Sequence, residues 1–378
     1  MDTELTLQEQ IYRVGLSACL EIGSRRMRSL LQHLGSAEAV WSASLQTLQT
    51  HAGLSPRTAE KVHSHCRQTD PHTLYEKTLE AGYQLCFFES SDYPTWLKTI
   101  HDPPFLLYWQ GNPETWKSLN PALAIVGTRQ ATSAGLELTR NFARELAMAG
   151  VTIVSGLATG IDTAAHLGAL DADGKTVAVL GMGLAQITPA EKRRLAHTIQ
   201  QNGLVISEFS PAFKATRWSF PLRNRIVSGL SQGLLVVEAA PKSGALITAD
   251  LAIEQGREVM AVPGPVMAPQ SAGPHALIQQ GAALVTSVPE ICQVMGWEVS
   301  LPVLSEAQPE DKGLTNSENE VYLVLSEMPQ TIESLTQKIE WPVSKLLTVL
   351  TQLEIKGWVQ EWPGSRFSRS GQVAHQNP

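Results

Sequence analysis

Between residues 122 and 262, short apolar runs alternate with longer segments that are apolar along one side only. The runs are ALAIV (122–126), VTIVS (151–155), TVAVL (176–180), GLVISE (203–208), GLLVVE (233–238) and EVMAV (258–262). Four or five consecutive apolar residues without polar alternation fit strands covered on both faces, as in a parallel sheet. The intervening segments 133–150, 161–170, 190–201 and 245–256 follow the helical period, and a helix near 275–280 and a short ALV strand close the series. Strand and helix in strict alternation predict a Rossmann-like, doubly wound α/β domain with a parallel sheet over residues 80–298.

The flanks read differently. Residues 1–75 predict a helical domain with a weak internal repeat: EIGSRRMRSLL (21–31) and HAGLSPRTAEKV (51–62) both run Gly, Ser, Arg into a helix. A glycine hairpin opening a helix presents free N–H groups to an anion, as helix-hairpin-helix DNA modules do; two ordinary helix caps explain the same residues. Residues 299–316 are rich in Pro, Ser and Glu with no apolar period, which predicts a linker. In 317–370, helical stretches at 318–327, 331–339 and 343–356 precede a hairpin in GWVQEWPGSRFSR, the order of a winged helix.

Composition narrows the classes. At 43% hydrophobic and 17% charged residues, 378 residues suffice for two or three globular domains. No apolar run approaches the ~20 residues of a membrane span, and MDTELTLQEQ is no secretory leader. The expectation is a cytoplasmic protein with no membrane partner. Four scattered cysteines suit buried thiols better than a disulfide frame or zinc site, and no metal or cofactor is expected. The net charge is -7, yet residues 191–225 hold seven Lys/Arg against two Glu. The cationic charge is segregated into one stretch.

Ligands of open parallel sheets bind beyond the carboxyl ends of the strands. Here those ends carry VGTRQATSAG, SGLATGID, LGMGL and APKSGALITA, a set of glycines and small hydroxyls suited to phosphate. Two enzyme fingerprints fail: Gln186 replaces the last glycine of G-x-G-x-x-G, and Ala169 replaces the first glycine of a Walker motif ending in DADGKT. Asp162 and His166, four apart on one helix, are better read as a cap and a packed residue than as an acid/base pair. In RWSFPLRNR, aromatics interleave with arginines, a pattern that stacks bases and holds phosphates of unpaired strands. The bland alternative buries the rings and pairs the arginines with Glu208 and Glu238.

Long motifs in fixed order resemble the DNA-processing protein A family (DprA, also called Smf): YPTWLKTIHDPPFLLYWQG, AIVGTRQATSAG, VSGLATGIDTAAH, TVAVLGMGL, ISEFSP, FPLRNRIVSGLSQGLLVVEAAPKSGALITA, GREVMAVPG and LIQQGA. The resemblance implies a homodimer built on an extended Rossmann domain, without turnover chemistry, that binds single-stranded DNA and loads the RecA recombinase during natural transformation. It implies DNA contacts at Arg129, Arg217, Phe220, Arg223 and Arg225, with Lys192 or Arg193 as a further cation. It places phosphate-binding loops at Gly127, Thr128, Ser155, Gly156, Gly160, Ser243 and Gly244, and a dimer surface near Leu277 and Ile278. The sequence departs from the family pattern at Thr188-Pro189, Lys192 and Gly273-Pro274-His275. Two rival classes remain: a nucleotide-processing Rossmann enzyme related to lysine-decarboxylase-like phosphoribohydrolases, and a duplex-reading regulator. The first wants a Pro-Gly-Gly loop and a catalytic Glu, which APKSGALITA lacks. The second wants a basic recognition helix, whereas 343–356 carries Lys345 and Lys356 against Glu354.

Overall fold

The computed structural model describes residues 5–50, 54–298, 314–326, 329–339 and 341–369. Six helices lead the chain: α1 (Leu7–Ser17), α2 (Ser24–Leu34), α3 (Ala37–Ser42), α4 (Leu45–Thr50), α5 (Pro56–Gln68) and α6 (Pro71–Glu80). Thr6, Ser36, Ser55 and Asp70 each accept from a first-turn backbone N–H, the side-chain caps that helix starts favour. Next come β1 (Gln84–Phe87), α7 (Thr95–Lys98), β2 (Leu106–Gly111) and α8 (Glu114–Lys117). The alternating region follows as β3 (Ala122–Val126), α9 (Ser133–Met148), β4 (Thr152–Ser155), α10 (Ile161–Asp171), β5 (Thr176–Val179), α11 (Ala190–Asn202), β6 (Leu204–Ser207) and α12 (Ser219–Gly229). It ends with β7 (Gly233–Val236), α13 (Gly244–Glu254), β8 (Glu258–Ala261), α14 (Ala272–Gln279), β9 (Ala283–Leu284) and α15 (Val288–Met295).

These strands form one nine-stranded sheet in the order β1-β2-β6-β5-β4-β3-β7-β8-β9. Seven are parallel, and β1 and β2 extend the sheet antiparallel at one edge. From β3 the chain winds first toward β6 and then, through β7, toward β9. The β3/β7 boundary is therefore the topological switch point where open sheets form a crevice. Strands β3 to β7 are buried along their whole length, as their apolar runs require.

The amino-terminal helices pack against the sheet. Val14, Leu16, Met27, Leu30 and Val62 share one apolar core with Phe87, Leu106, Tyr108 and Val205, and all elements through α15 belong to one compact unit. The first glycine hairpin leads into α2, capped by Gly23 without a side-chain bond; residues 51–53 of the second lie outside the described residues.

The second unit contains α16 (Asn316–Val324), β10 (Gln330–Thr331), α17 (Ile332–Ile339), α18 (Val343–Ile355), β11 (Val359–Trp362) and β12 (Arg366–Arg369). Its three-stranded sheet, ordered β10-β12-β11, and its core of Leu335, Leu346, Leu350 and Leu353 make a winged helix. Residues 299–313 of the expected linker lie outside the described residues. Of the last two expected linker residues, Asn316 begins α16 and Thr315 caps it, forming a capping box with Glu318. Among the described residues no helix is long and apolar enough to cross a membrane.

Candidate nucleic-acid interface

Loops after β3, β4 and β7, with the start of α12, enclose a cavity of about 690 Å³ at the carboxyl edge of the sheet. A second cavity of about 200 Å³ opens beside it, between the loops after β4 and β5 and the start of α11. Both are lined by Arg129, Gly156, Ala158, Phe220 and Arg223, so they form one groove at the switch point. Among the described residues its lining carries five cations (Arg129, Lys192, Arg217, Arg223, Lys242) and one carboxylate, Asp162. A site with that imbalance attracts an anion before any single contact is considered.

The cations are held in different ways. Arg129 is exposed, with its guanidinium 5.6 Å from the centroid of the half-buried Phe220 ring. Arg217 and Lys242 are exposed at the rim. Lys192 is half-buried; partial desolvation and the nearby Arg129 and Arg223 charges hold its ammonium below the usual lysine range. Arg223 is only 5% exposed. Its Nη1 donates to the Gly156 carbonyl at 2.6 Å and to the Val179 carbonyl, and its Nε donates to Asn224 Oδ1 at 3.2 Å. Burial lowers the guanidinium to about 10, partly countered by Asp162, so it remains charged at neutral pH. Asp162 accepts from the Gly156 and Ala158 N–H groups at 3.2 and 3.3 Å. Burial pushes its carboxyl up, and Arg223 pulls the other way.

Two glycines are required by this arrangement. A Cβ at Gly156 would sit 2.5 Å from Arg223 Nη1, and Gly160, at φ +88°, would place one 2.3 Å from the Thr128 carbonyl. Gly156→Ala should therefore displace Arg223 and cost about 1–3 kcal/mol of stability in urea unfolding, together with anion affinity.

The other phosphate-loop residues divide. Gly127, Thr128, Gly156, Ser243 and Gly244 line the larger cavity. Ser243 caps α13 by accepting from the Ala245 N–H at 3.3 Å, and Gly244 beside it faces open space, so the positive end of α13 opens into the groove. Ser155 lines neither cavity: it is fully buried and its Oγ donates to the Ile125 carbonyl at 2.6 Å. Gly160 serves the backbone turn into α10 and lines neither cavity.

Four further residues stand otherwise than expected. Arg225 is 7% exposed and turned away from the groove. Its Nη atoms donate to both Glu208 oxygens, at 2.8 and 2.6 Å, and its Nε donates to the Asp102 carbonyl at 2.9 Å. Burial disfavours that charge, but the Glu208 carboxylate, by charge and hydrogen bond, together with Asp102 raises the guanidinium above its ordinary value. Arg193 is exposed, donates its Nε to the Ile187 carbonyl at 3.3 Å, and stands outside the groove lining; Lys192 is the cation of that pair that lines it. Leu277 is 4% exposed and belongs to the core, so of the two expected dimer residues only Ile278, half-buried against that core, retains some surface. Glu238 pairs with neither arginine, because it accepts from the Thr132 N–H at 2.9 Å and the Thr132 hydroxyl at 2.6 Å.

Lys242, Asn224 and Gln130 line the groove without having been singled out. The signal for Lys242 is present in APKSGALITA as its one cation, set among small residues.

His166 is fully buried and its ring contacts Thr176 Oγ1 through Nδ1 at 2.7 Å. The Thr176 hydroxyl already donates to the Ile153 carbonyl, so the ring donates through Nδ1–H and leaves Nε2 without a partner. Burial, with a smaller effect of the Arg223 charge, lowers its pKa from 6.5 to about 3. Above pH 6.5 the folded and unfolded rings are both neutral; below it only the unfolded ring gains a proton, until about pH 3. This group's contribution to stability is therefore present at neutral pH and is lost on acidification, by at most about 1.4 kcal/mol per pH unit. Asp162, shifted upward, acts in the opposite sense. His166→Gln should flatten the fall in urea-unfolding stability between pH 7 and pH 5.

Fold and site together define an extended Rossmann-type α/β protein with a cationic switch-point groove and an appended winged helix. The chain belongs to the family described as DNA recombination-mediator protein A, whose model matches residues 84–296. A second model, the DprA winged helix domain, matches residues 305–365. Protein Smf of Escherichia coli (strain K12) is 38% identical over 332 residues, which are 86% of this chain and 88% of that protein. The X-ray structure of DNA processing protein A from Streptococcus pneumoniae superposes with a TM-score of 0.65 at 33% identity, covering 77% of this chain and 98% of that one. A Helicobacter pylori DNA processing protein A, described for its single-stranded DNA binding mode, gives a TM-score of 0.51 at 30% identity over 58% of this chain and 97% of its own.

Proposed function

We propose that this protein holds single-stranded DNA in the groove and delivers it to RecA recombinase, in the cytoplasm, during uptake of transforming DNA. The observation that carries the DNA reading is the groove itself: five cations and one carboxylate, with Arg129 over the Phe220 ring. Cations track a backbone, and an aromatic face accepts any base, so binding is independent of sequence and weakens with salt. The recombinase step draws support from the family description and the homologous fold. A homodimer is part of the proposal. Its surface is the open sheet edge at β9, where Leu284 is exposed and Ile278 is half-buried, an edge that invites pairing with another chain. The enzyme alternative gains nothing from the groove, whose one carboxylate is bound to two backbone N–H groups.

The test is a gel shift with single-stranded and duplex oligonucleotides, with and without RecA. Preferential retardation of the single strand and faster RecA filament formation on it support the proposal; equal affinity for duplex removes it. Phe220→Ala should weaken oligonucleotide binding by roughly five- to a hundredfold, the range for one lost stacking contact, as read by fluorescence anisotropy.

A further inference from the structure

Next to the groove, three aromatic rings pack together in the segment joining β6 to α12. Phe209 and Phe213 stack with centroids 4.4 Å apart, and Trp218 meets them at 5.8 and 5.7 Å. The two phenylalanines are buried, but Trp218 leaves 49% of its surface in solvent. Backbone ties hold the segment in place. The Gly183 N–H donates to the Phe213 carbonyl at 2.9 Å and the Ala185 N–H to the Pro211 carbonyl at 3.1 Å. Ser219 Oγ, one residue beyond the indole, donates to the Gly181 carbonyl at 2.6 Å.

The surroundings of this ring are cationic. Lys214 and Arg217 are exposed within four residues of it, and no Asp or Glu occurs from 209 to 224. Arg217 also lines the larger cavity, while Trp218 lines neither, so the indole lies just beyond the groove's margin. An exposed indole fixed by buried rings has little freedom to lose on binding, and its face accepts a base of any identity.

We propose that Trp218 is a second stacking platform, taking an unpaired base of the strand as it leaves the groove, with Lys214 and Arg217 meeting the adjoining phosphates. This rests on the reading of the groove as a single-stranded DNA site. Phe220 and Trp218 then act at successive points along one strand, so binding should depend on oligonucleotide length in a way that Phe220 alone would not produce.

The experiment measures anisotropy-derived Kd values for the full chain and its Trp218→Ala and Trp218→Phe variants, against oligo-dT of increasing length. Unfolding curves confirm that each variant is folded. For long oligonucleotides W218A should bind about five- to tenfold more weakly, the lower part of the stacking range. For the shortest oligonucleotide that still binds, W218A should match the parent. W218F should recover to within about twofold of the parent, since a ring remains to stack on. An abasic position scanned along the oligonucleotide should weaken the parent at one site where W218A loses nothing further, which identifies the base on the ring. Equal loss at every length, as from a distorted fold, overturns the proposal. So does unchanged DNA binding by W218A, including the case in which only RecA delivery suffers and the ring meets a protein. If the parent itself binds no single strand, the groove reading has failed first, an outcome distinct from these.

Discussion

Arg129→Glu combined with Lys192→Glu should weaken single-stranded DNA binding by roughly a hundredfold at about 0.1 M salt, since two phosphate contacts are lost and two repulsions gained. The slope of log affinity against log salt should fall by about 2, because two fewer counterions are released. Anisotropy titrations from 50 to 200 mM salt read both quantities. These positions are suited to the test because neither side chain belongs to the core. Arg129 is exposed and rests against Phe220, and Lys192 is half-buried at the start of α11, with no salt bridge at either among the described residues. Thermal unfolding of the double variant should stay close to that of the parent. An unchanged salt slope would mean that neither cation meets a phosphate.

Arg225→Ala should have the largest effect on stability, about 3–5 kcal/mol in urea unfolding, because it leaves a buried carboxylate without its partner. The Glu208 side chain is 9% exposed and has the Arg225 guanidinium 2.6 Å away. Removing both charges, as Arg225→Met with Glu208→Leu, should recover most of that loss, since well-packed apolar side chains often replace a buried pair at little cost. The folded fraction of R225A should still bind DNA, because Arg225 does not line the groove. A stable R225A that has lost DNA binding would return this arginine to the interface.

The contrast between Arg223 and Arg225 shows where the sequence stops being informative. Two residues apart on α12, their side chains project about 200° apart around the axis. One therefore faces the groove floor while the other faces Glu208 and Asp102. The tripeptide RNR is equally compatible with either assignment, and only the packing of α12 against the sheet decides it. Strands β3 to β8 were legible because burial on both faces demands unbroken apolar runs. Strands β1 and β2 were not read as strands, because they sit at the sheet's antiparallel edge with mixed exposure and polar or aromatic residues. Ser155 illustrates a similar ambiguity: a small hydroxyl after a strand suits a phosphate and a buried backbone carbonyl equally well, and here the Ile125 carbonyl takes it.

The glycine loops were legible as a set, since their positions at strand ends follow from the alternation alone. Their separate duties were not. Gly156 makes room for Arg223, Gly244 leaves the start of α13 open, and Gly160 supplies a left-handed turn. The duties of Gly156 and Gly160 are set by Arg223 and the Thr128 carbonyl, distant in the chain and outside any local window.

The most direct measurement of the central claim is hydrogen–deuterium exchange of the full chain with and without a saturating single-stranded oligonucleotide. Slowed exchange concentrated in segments 127–132, 156–160, 215–224 and 241–246 is the predicted result. Unchanged exchange in those four segments, with protection appearing instead on α18 or the amino-terminal helices, would contradict it.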